Sequence, residues 1–224
     1  FADAAGKPGN DDWQMARGGF RSDWRLSEES ALTVQGDLFA GAAGQTLRFP
    51  TLEPPFGRLV ADETEMSGGN LLGRWQRSLE GRGDLQLQLY GEQFARVDSL
   101  GDWDYEVYDI DFQHRFLWRT RQEIVWGAGY RFSRDNTDAS VKFHFDPTSD
   151  SAHLFSAFAQ NEISLIDDRL HLTLGSKFER NPYSGFEYQP NARLLWKPRI
   201  GQTVWFSATR AVRTPARADV DVRL

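Results

Sequence analysis

The chain has 224 residues with 26 basic and 32 acidic side chains, a formal charge of −6 and an isoelectric point near 5.3, which excludes the basic face that nucleic-acid binding needs. It has no cysteine, so neither a disulfide framework nor a thiolate metal site is available. At 40% hydrophobic and 26% charged residues, with a mean hydropathy of −0.57, it offers no apolar window of about 18 residues and hence no transmembrane helix; a transmembrane barrel has the same average composition, because its strands give alternate residues to a polar lumen.

The chain opens at Phe1 with neither a Met nor a basic n-region, so the expectation is a processed chain or a piece of a longer one. Phe1 to Asp11 is small, polar and glycine-containing, and reads as a loop. From Asp12 to Leu26, Ala16, Phe20, Trp24 and Leu26 alternate with Arg17, Arg21, Asp23 and Arg25, which is the two-residue period of a strand. A short turn at Ser27 to Ser30 leads to a second strand, in which Leu32, Val34, Leu38 and Ala40 alternate with Thr33, Gln35 and Asp37. A long connection is expected from Gly41 to Ser67, with Pro50, Pro54, Pro55 and the acidic run Asp62 to Glu65 as solvated loop.

The third strand, about Gly69 to Arg77, sets Leu71, Gly73 and Trp75 against Asn70, Arg74 and Gln76. Glu80 to Asp84 is a glycine-containing turn. The fourth strand has the cleanest alternation, Leu85, Leu87 and Leu89 against Gln86, Gln88, Tyr90 and Glu92. A medium loop, Gln93 to Asp104, precedes a fifth strand with Tyr108, Ile110, Phe112 and Phe116 on one face and Asp109, Asp111, Gln113 and Arg115 on the other. A short turn, Trp118 to Gln122, precedes a sixth strand, Ile124 to Phe132, which is followed by a long polar connection, Ser133 to Ser151. The last four strands occupy Leu154 to Pro215. There Leu170, Leu172, Leu174 and Phe178 alternate with His171, Thr173, Lys177 and Glu179, then Ala192, Leu194 and Trp196 with Asn191, Arg193 and Lys197, and Val204, Phe206 and Ala208 begin the tenth. Turn chemistry separates them at Asp167-Asp168, Asn181 to Gly185 and Pro198 to Gly201.

On this reading every second connection is tight and the others are extended, giving an antiparallel meander with two chemically different ends, the asymmetry of outer-membrane barrels. The fold class is all-β, an up-and-down meander of about ten strands that is part of a larger transmembrane barrel. Aromatics make up 13% of the chain, with 8 Trp and 16 Phe; a β-rich core and a pair of interfacial girdles both account for them.

Three stretches carry a family resemblance: Phe158 to Ile163 running into Asp167 to Leu170, Gly185 to Arg193, and Arg210 to Pro215. In this order and at this spacing they resemble the β-barrel of TonB-dependent outer-membrane receptors. The resemblance covers nearly the whole chain and implies that residues 1–224 are the middle of such a barrel, with plug domain, TonB box and terminal strands absent. It implies a whole receptor of about 22 strands around a plug, in the outer membrane of a Gram-negative bacterium. Its partners would be outer-membrane lipid, the plug, the TonB complex and a small-molecule nutrient such as an iron-siderophore or cobalamin, with no nucleic acid.

The inward polar set is Arg17, Arg74, Gln86, Gln88, Glu92, Arg131, Lys177, Glu179 and Arg193, which mixes both signs and is expected to satisfy itself in a wet lumen or to face the plug. Trp103, Tyr105, Tyr183 and Phe186 are expected at the outer rim as ligand contacts, since aromatic rings with a few polar groups suit a compact chelate. Asp109 and Asp111 share a strand face and could share a proton or a cation, but pairing with nearby basic side chains accounts for them. His114, His144, His153 and His171 have no metal-ligand spacing, so no metal, cofactor or catalytic residue is assigned. Two readings compete: a soluble carbohydrate-binding or adhesin-like β-sandwich using loop aromatics, and an omptin-like protease, a ten-stranded barrel with an Asp/His pairing near its rim.

Overall fold

The computed structural model describes residues 9–138 and 144–223; the first eight residues of the expected N-terminal loop, and 139–143 of the expected connection Ser133 to Ser151, lie outside them. In chain order the elements are β1 (Trp13–Arg25), β2 (Ser30–Phe49), β3 (Arg58–Leu79), β4 (Gly83–Asp98), β5 (Gly101–Trp118), β6 (Gln122–Thr137), β7 (His144–Phe145), β8 (Ser149–Ile166), β9 (Leu170–Asn181), β10 (Gly185–Trp196), β11 (Val204–Thr209), the single-turn α1 (Arg217–Val220) and β12 (Val222–Arg223). Ten of these strands form one antiparallel sheet in sequence order, β1 to β11 without β7, and β7 pairs with β12 as a separate short ladder. The sheet is the predicted up-and-down meander, with β1 and β11 at its edges.

The two-residue period of the sequence becomes two faces of opposite chemistry. Outward partners Trp24, Leu32, Trp75, Leu87, Phe112, Ala128, Ala157, Phe178 and Tyr188 follow one line across nine strands, all apolar or aromatic. The adjacent line is Asp23, Thr33, Arg74, Gln88, Asp111, Gly129, Ser156, Glu179 and Glu187, without an apolar side chain. Shelter is distributed the opposite way from a water-soluble fold. Among the described residues Val107 is the one buried hydrophobic side chain, while Leu38 is 72% and Phe206 69% exposed. The polar face carries the sheltered groups instead: the Glu179 side chain is 8% exposed and that of Asp109 11%. A polar face sheltered by its own crowding is the concave side of a curved sheet.

The strands run further than their alternation suggested. β2 and β3 stay paired through Gly41–Phe49 and 58–67, so the long connection contracts to Pro50–Gly57 and the acidic run Asp62 to Glu65 is strand rather than loop. The medium loop Gln93 to Asp104 is a tight hairpin whose tip is Ser99-Leu100, and Asn181 to Gly185 reduces to Pro182–Ser184. On the opposite side, Lys197–Thr203 is longer than either tip. Strand overshoot, rather than strict alternation of loop length, distinguishes the two ends. The cause is visible in the outward positions, where polar residues enter at one level: Ser67 precedes Gly69 on β3, Gln93 follows Gly91 on β4, Glu106 precedes Tyr108 on β5 and Arg134 follows Phe132 on β6. Beyond that level polar residues occur on both faces, so the apolar/polar contrast that reveals a strand in sequence weakens while the ladder continues.

Near the turns the outward positions carry Trp24, Trp75, Trp118 and Trp196. On β5 the apolar band runs from Tyr108 to Trp118, which at about 3.4 Å per residue and a tilt of about 40° is about 25 Å, the height of the apolar band of an outer-membrane barrel. The girdle reading of the aromatics accounts for this placement. The ladder is also staggered. Ala31, beside the first turn, is in line with Gln76, Gln86 and Gln113, whereas the third turn begins only after Trp118. Strands staggered in this way are tilted, so a line of constant height crosses the register diagonally. Among the described residues the one register irregularity is a bulge between Ser164 and Ile166, at the turn end of β8.

Candidate functional site

The concave face is a wall of side chains that satisfy one another within the plane of the sheet. Arg74 donates from Nε and Nη2 to Gln88 Oε1 at 2.9 and 2.7 Å, and Gln76 Nε2 to Gln86 Oε1 at 3.0 Å. Arg17 meets Asp37 at 3.0 Å, Arg131 meets Asp109 at 2.7 Å and Lys177 meets Glu179 at 2.9 Å. The Tyr90 hydroxyl donates to Glu92 Oε2 at 2.8 Å, and Arg193 lies over the Trp205 ring at 6.0 Å. All nine residues of the inward polar set thus share this face. Asp111 shares this face with Asp109, two positions along β5. Because the basic partners are half exposed, each pair is worth about 1 kcal/mol or less. The wall therefore adds little stability, and it lines the concave face with charged and hydrogen-bonding groups.

At the loop end the overshooting strands are stitched together. Gly101 takes φ +135°, a conformation reserved for glycine, and so closes the β4–β5 tip. Asp98, whose side chain is fully buried, accepts from Leu100 N at 2.7 Å and from Arg96 Nη2 at 2.6 Å; the Arg96 guanidinium lies 4.9 Å over the Trp103 ring. Asp62 accepts from Gln45 Nε2 at 2.9 Å, from Ser99 N at 3.3 Å and from the Ser99 hydroxyl. The Ser99 hydroxyl is the main cause that holds the Asp62 carboxyl below its ordinary value, against partial burial. Asn10 ties in the N-terminal segment by donating to Gln45 O at 2.7 Å and Asp62 O at 2.8 Å.

Over β8 to β10 the loop end is organised by Asn181, whose Oδ1 accepts from Tyr183 N at 3.0 Å and Ser184 N at 2.8 Å, the local bonding that makes Asn a turn residue. Burial raises the Tyr183 phenol above its ordinary value, helped by the carboxylates of Asp150 and Asp221. The segment after β11 lies against this end. Thr214 donates to Glu179 Oε1 at 3.2 Å, Arg210 meets Glu187 at 3.3 Å, and Arg217 pairs with Asp135 and lies over Phe145 at 4.9 Å.

Three of the four predicted rim aromatics are at this end of the concave side. Trp103 and Tyr105 belong to β5 rather than to a loop, because β4 and β5 remain paired to Asp98 and Gly101, and both take inward register positions. Tyr183 sits in the β9–β10 turn. Phe186 does not join them: it takes an outward position on β10, stacks on Phe178 with centroids 6.2 Å apart and is 65% exposed. Arg96, Asp98 and the inward pair Phe39 and Phe94, with centroids 6.2 Å apart, escaped the sequence reading. The one available signal was Asp98 followed by Ser99 and Gly101, an Asx-turn pattern within the supposed loop.

The sequence profile of the family described as TonB dependent receptor-like, beta-barrel matches residues 2–222. The chain belongs to that family. The TonB-dependent receptor barrel is similar in fold to a mutant of the ferric enterobactin receptor PfeA from Pseudomonas aeruginosa, with a TM-score of 0.69 and 15% identity over 96% of this chain and 36% of that one. It is similar also to the siderophore receptor PirA from Acinetobacter baumannii, at 0.66 and 10% identity over 95% and 36%, and to the alcaligin outer membrane receptor FauA from Bordetella pertussis, at 0.61 and 13% over 88% and 35%. The chain therefore spans about a third of the length of these receptors. No curated protein matches it by sequence.

Proposed function

We propose that this TonB-dependent receptor barrel forms part of the wall of a Gram-negative outer-membrane receptor that imports a scarce nutrient, an iron-siderophore or cobalamin among the candidates. The observation that carries the reading is the bare apolar face: with Val107 as the one buried hydrophobic among the described residues, these strands have no core in water, and a lipid-facing band about 25 Å tall gives the outward side chains a solvent. The neighbours named as siderophore receptors support the transport class. In the whole receptor, a plug would meet the polar wall and the TonB complex would supply energy.

A β-sandwich needs a second sheet packed on the first, and here one ten-stranded sheet leaves its apolar face uncovered. An omptin-like pairing is disfavoured by facing, since Asp109 and Asp111 point inward whereas His114 and His153 take outward positions; His171, which meets Glu162 at 3.6 Å, belongs to the turn end. Trp103, Tyr105 and Tyr183, with Arg96 beside them, are the proposed ligand contacts. In the full-length receptor, replacing the three aromatics by Ala should weaken whole-cell ligand binding at normal surface expression. Unchanged binding would remove these contacts and leave the barrel standing.

A further inference from the structure

We infer that the outer surface of β6, β8 and β9 carries a site for the anionic, phosphate-bearing headgroup of an outer-leaflet lipid, built from Arg134, His153 and Arg180. The inference rests on the reading that the apolar face meets lipid. The three side chains belong to different strands, and the ladder locates them at one height. Arg134 pairs with Ser151, Phe132 with His153 and Phe155 with Arg180, so each step from β6 to β8 to β9 moves two positions toward the turns. That is the diagonal on which the stagger of the sheet places a line of constant height. The same line marks the top of the apolar band. Immediately below it the outward positions hold an aromatic bed, Tyr130 and Phe155 with centroids 4.8 Å apart, Phe132, which lies 5.1 Å from the His153 ring, and Phe178. Aromatic side chains of this kind sit at headgroup level.

Both arginines are exposed, and among the described residues neither guanidinium has a hydrogen-bond or ion-pair partner. Arg134 and Arg180 share this freedom with other exposed arginines such as Arg25, Arg77 and Arg119; what sets the two apart is their common height at the top of the apolar band, above aromatic neighbours. Glu106 stands opposite Arg134 across the β5–β6 ladder, yet no ion pair closes between them. Arg180 has only aromatic side chains beside it on the outward face, Phe155 and Phe186 across its two ladders. His153 Nδ1 lies 2.8 Å from the Tyr130 hydroxyl, which orients the ring, and its strand β8 runs between those that carry the two arginines. A guanidinium fork matches phosphate oxygens, and a fixed cation at headgroup level attracts anionic lipid.

The test uses the full-length receptor in detergent, titrated with phosphatidylcholine vesicles that contain or lack phosphatidic acid, with bound lipid counted by native mass spectrometry. The receptor should retain phosphatidic acid over phosphatidylcholine, and the Arg134→Gln/Arg180→Gln variant should lose that preference by about fivefold per arginine removed. Arg180→Lys, which keeps the charge without the fork, should fall between the parent and Arg180→Gln. A double variant that binds phosphatidic acid like the parent overturns the site. So does equal competition by inorganic phosphate at the same concentration, which would make it a free-anion site. Tryptophan quenching by brominated acyl chains separates the two levels of inference. Quenching without headgroup preference sinks the site alone, and absence of quenching sinks the lipid-facing reading with it.

Discussion

Leu89 and Gln113 test the facing of single side chains. Leu89 is 52% exposed on the outward face of β4, midway along the apolar band, so Leu89→Arg should cost about 2 to 4 kcal/mol of folding free energy in lipid. Gln113, inward on β5 opposite Gln86, should accept Arg with a loss below about 1 kcal/mol. Denaturant titration in lipid vesicles measures both, and equal costs would mean that the faces are misassigned. Facing was legible residue by residue wherever one side is apolar, because Leu85, Leu87 and Leu89 contrast with Gln86, Gln88 and Tyr90. Partners were not legible. Nothing in the sequence says that Arg74 bonds Gln88 rather than Asp111, since that choice is made by register across strands, and Phe186 was misplaced because an aromatic beside a turn suits the rim and the outer face equally.

Strands and hairpins were found as elements but cut short at the loop end. Ala42, Gly44 and Thr46 on β2 gave no period to follow, although the ladder runs on to Phe49. The hairpin tips can be probed directly. Asn181→Ala removes the acceptor for two turn amides and should cost about 1 to 2 kcal/mol locally, seen as faster hydrogen exchange at Tyr183 and Ser184 with the β8–β9 ladder unchanged. Asp62 makes the β2–β5 tips sensitive to acid. Its carboxyl titrates below its ordinary value of 3.8, so its contribution is complete above that pH and is lost as pH falls through the lower folded value. Exchange at Ser99 should therefore accelerate beyond its intrinsic pH dependence only below about pH 4, and Asp62→Asn should abolish that extra acceleration.

For the molecule as a whole, β1 and β11 leave two strand edges without partners among the described residues, and such edges template association. The isolated 25.6 kDa chain should run in detergent as an oligomer or aggregate by light scattering; a monodisperse monomer with an open sheet would contradict the barrel reading. Fold class and strand order were legible because the meander pairs neighbours in sequence, while stagger and overshoot were not, being properties of pairing rather than of composition. The bulge between Ser164 and Ile166 bears on how this wall can change length over evolutionary time. One residue inserted directly after Tyr108 would reverse every side chain after it and turn Asp109 and Asp111 toward the apolar face, whereas two inserted residues would preserve the alternation. Descendants of this sequence can therefore grow freely at Pro50–Gly57 and within the membrane only in even steps, with an odd step confined to the end of β8, where the ladder already absorbs one.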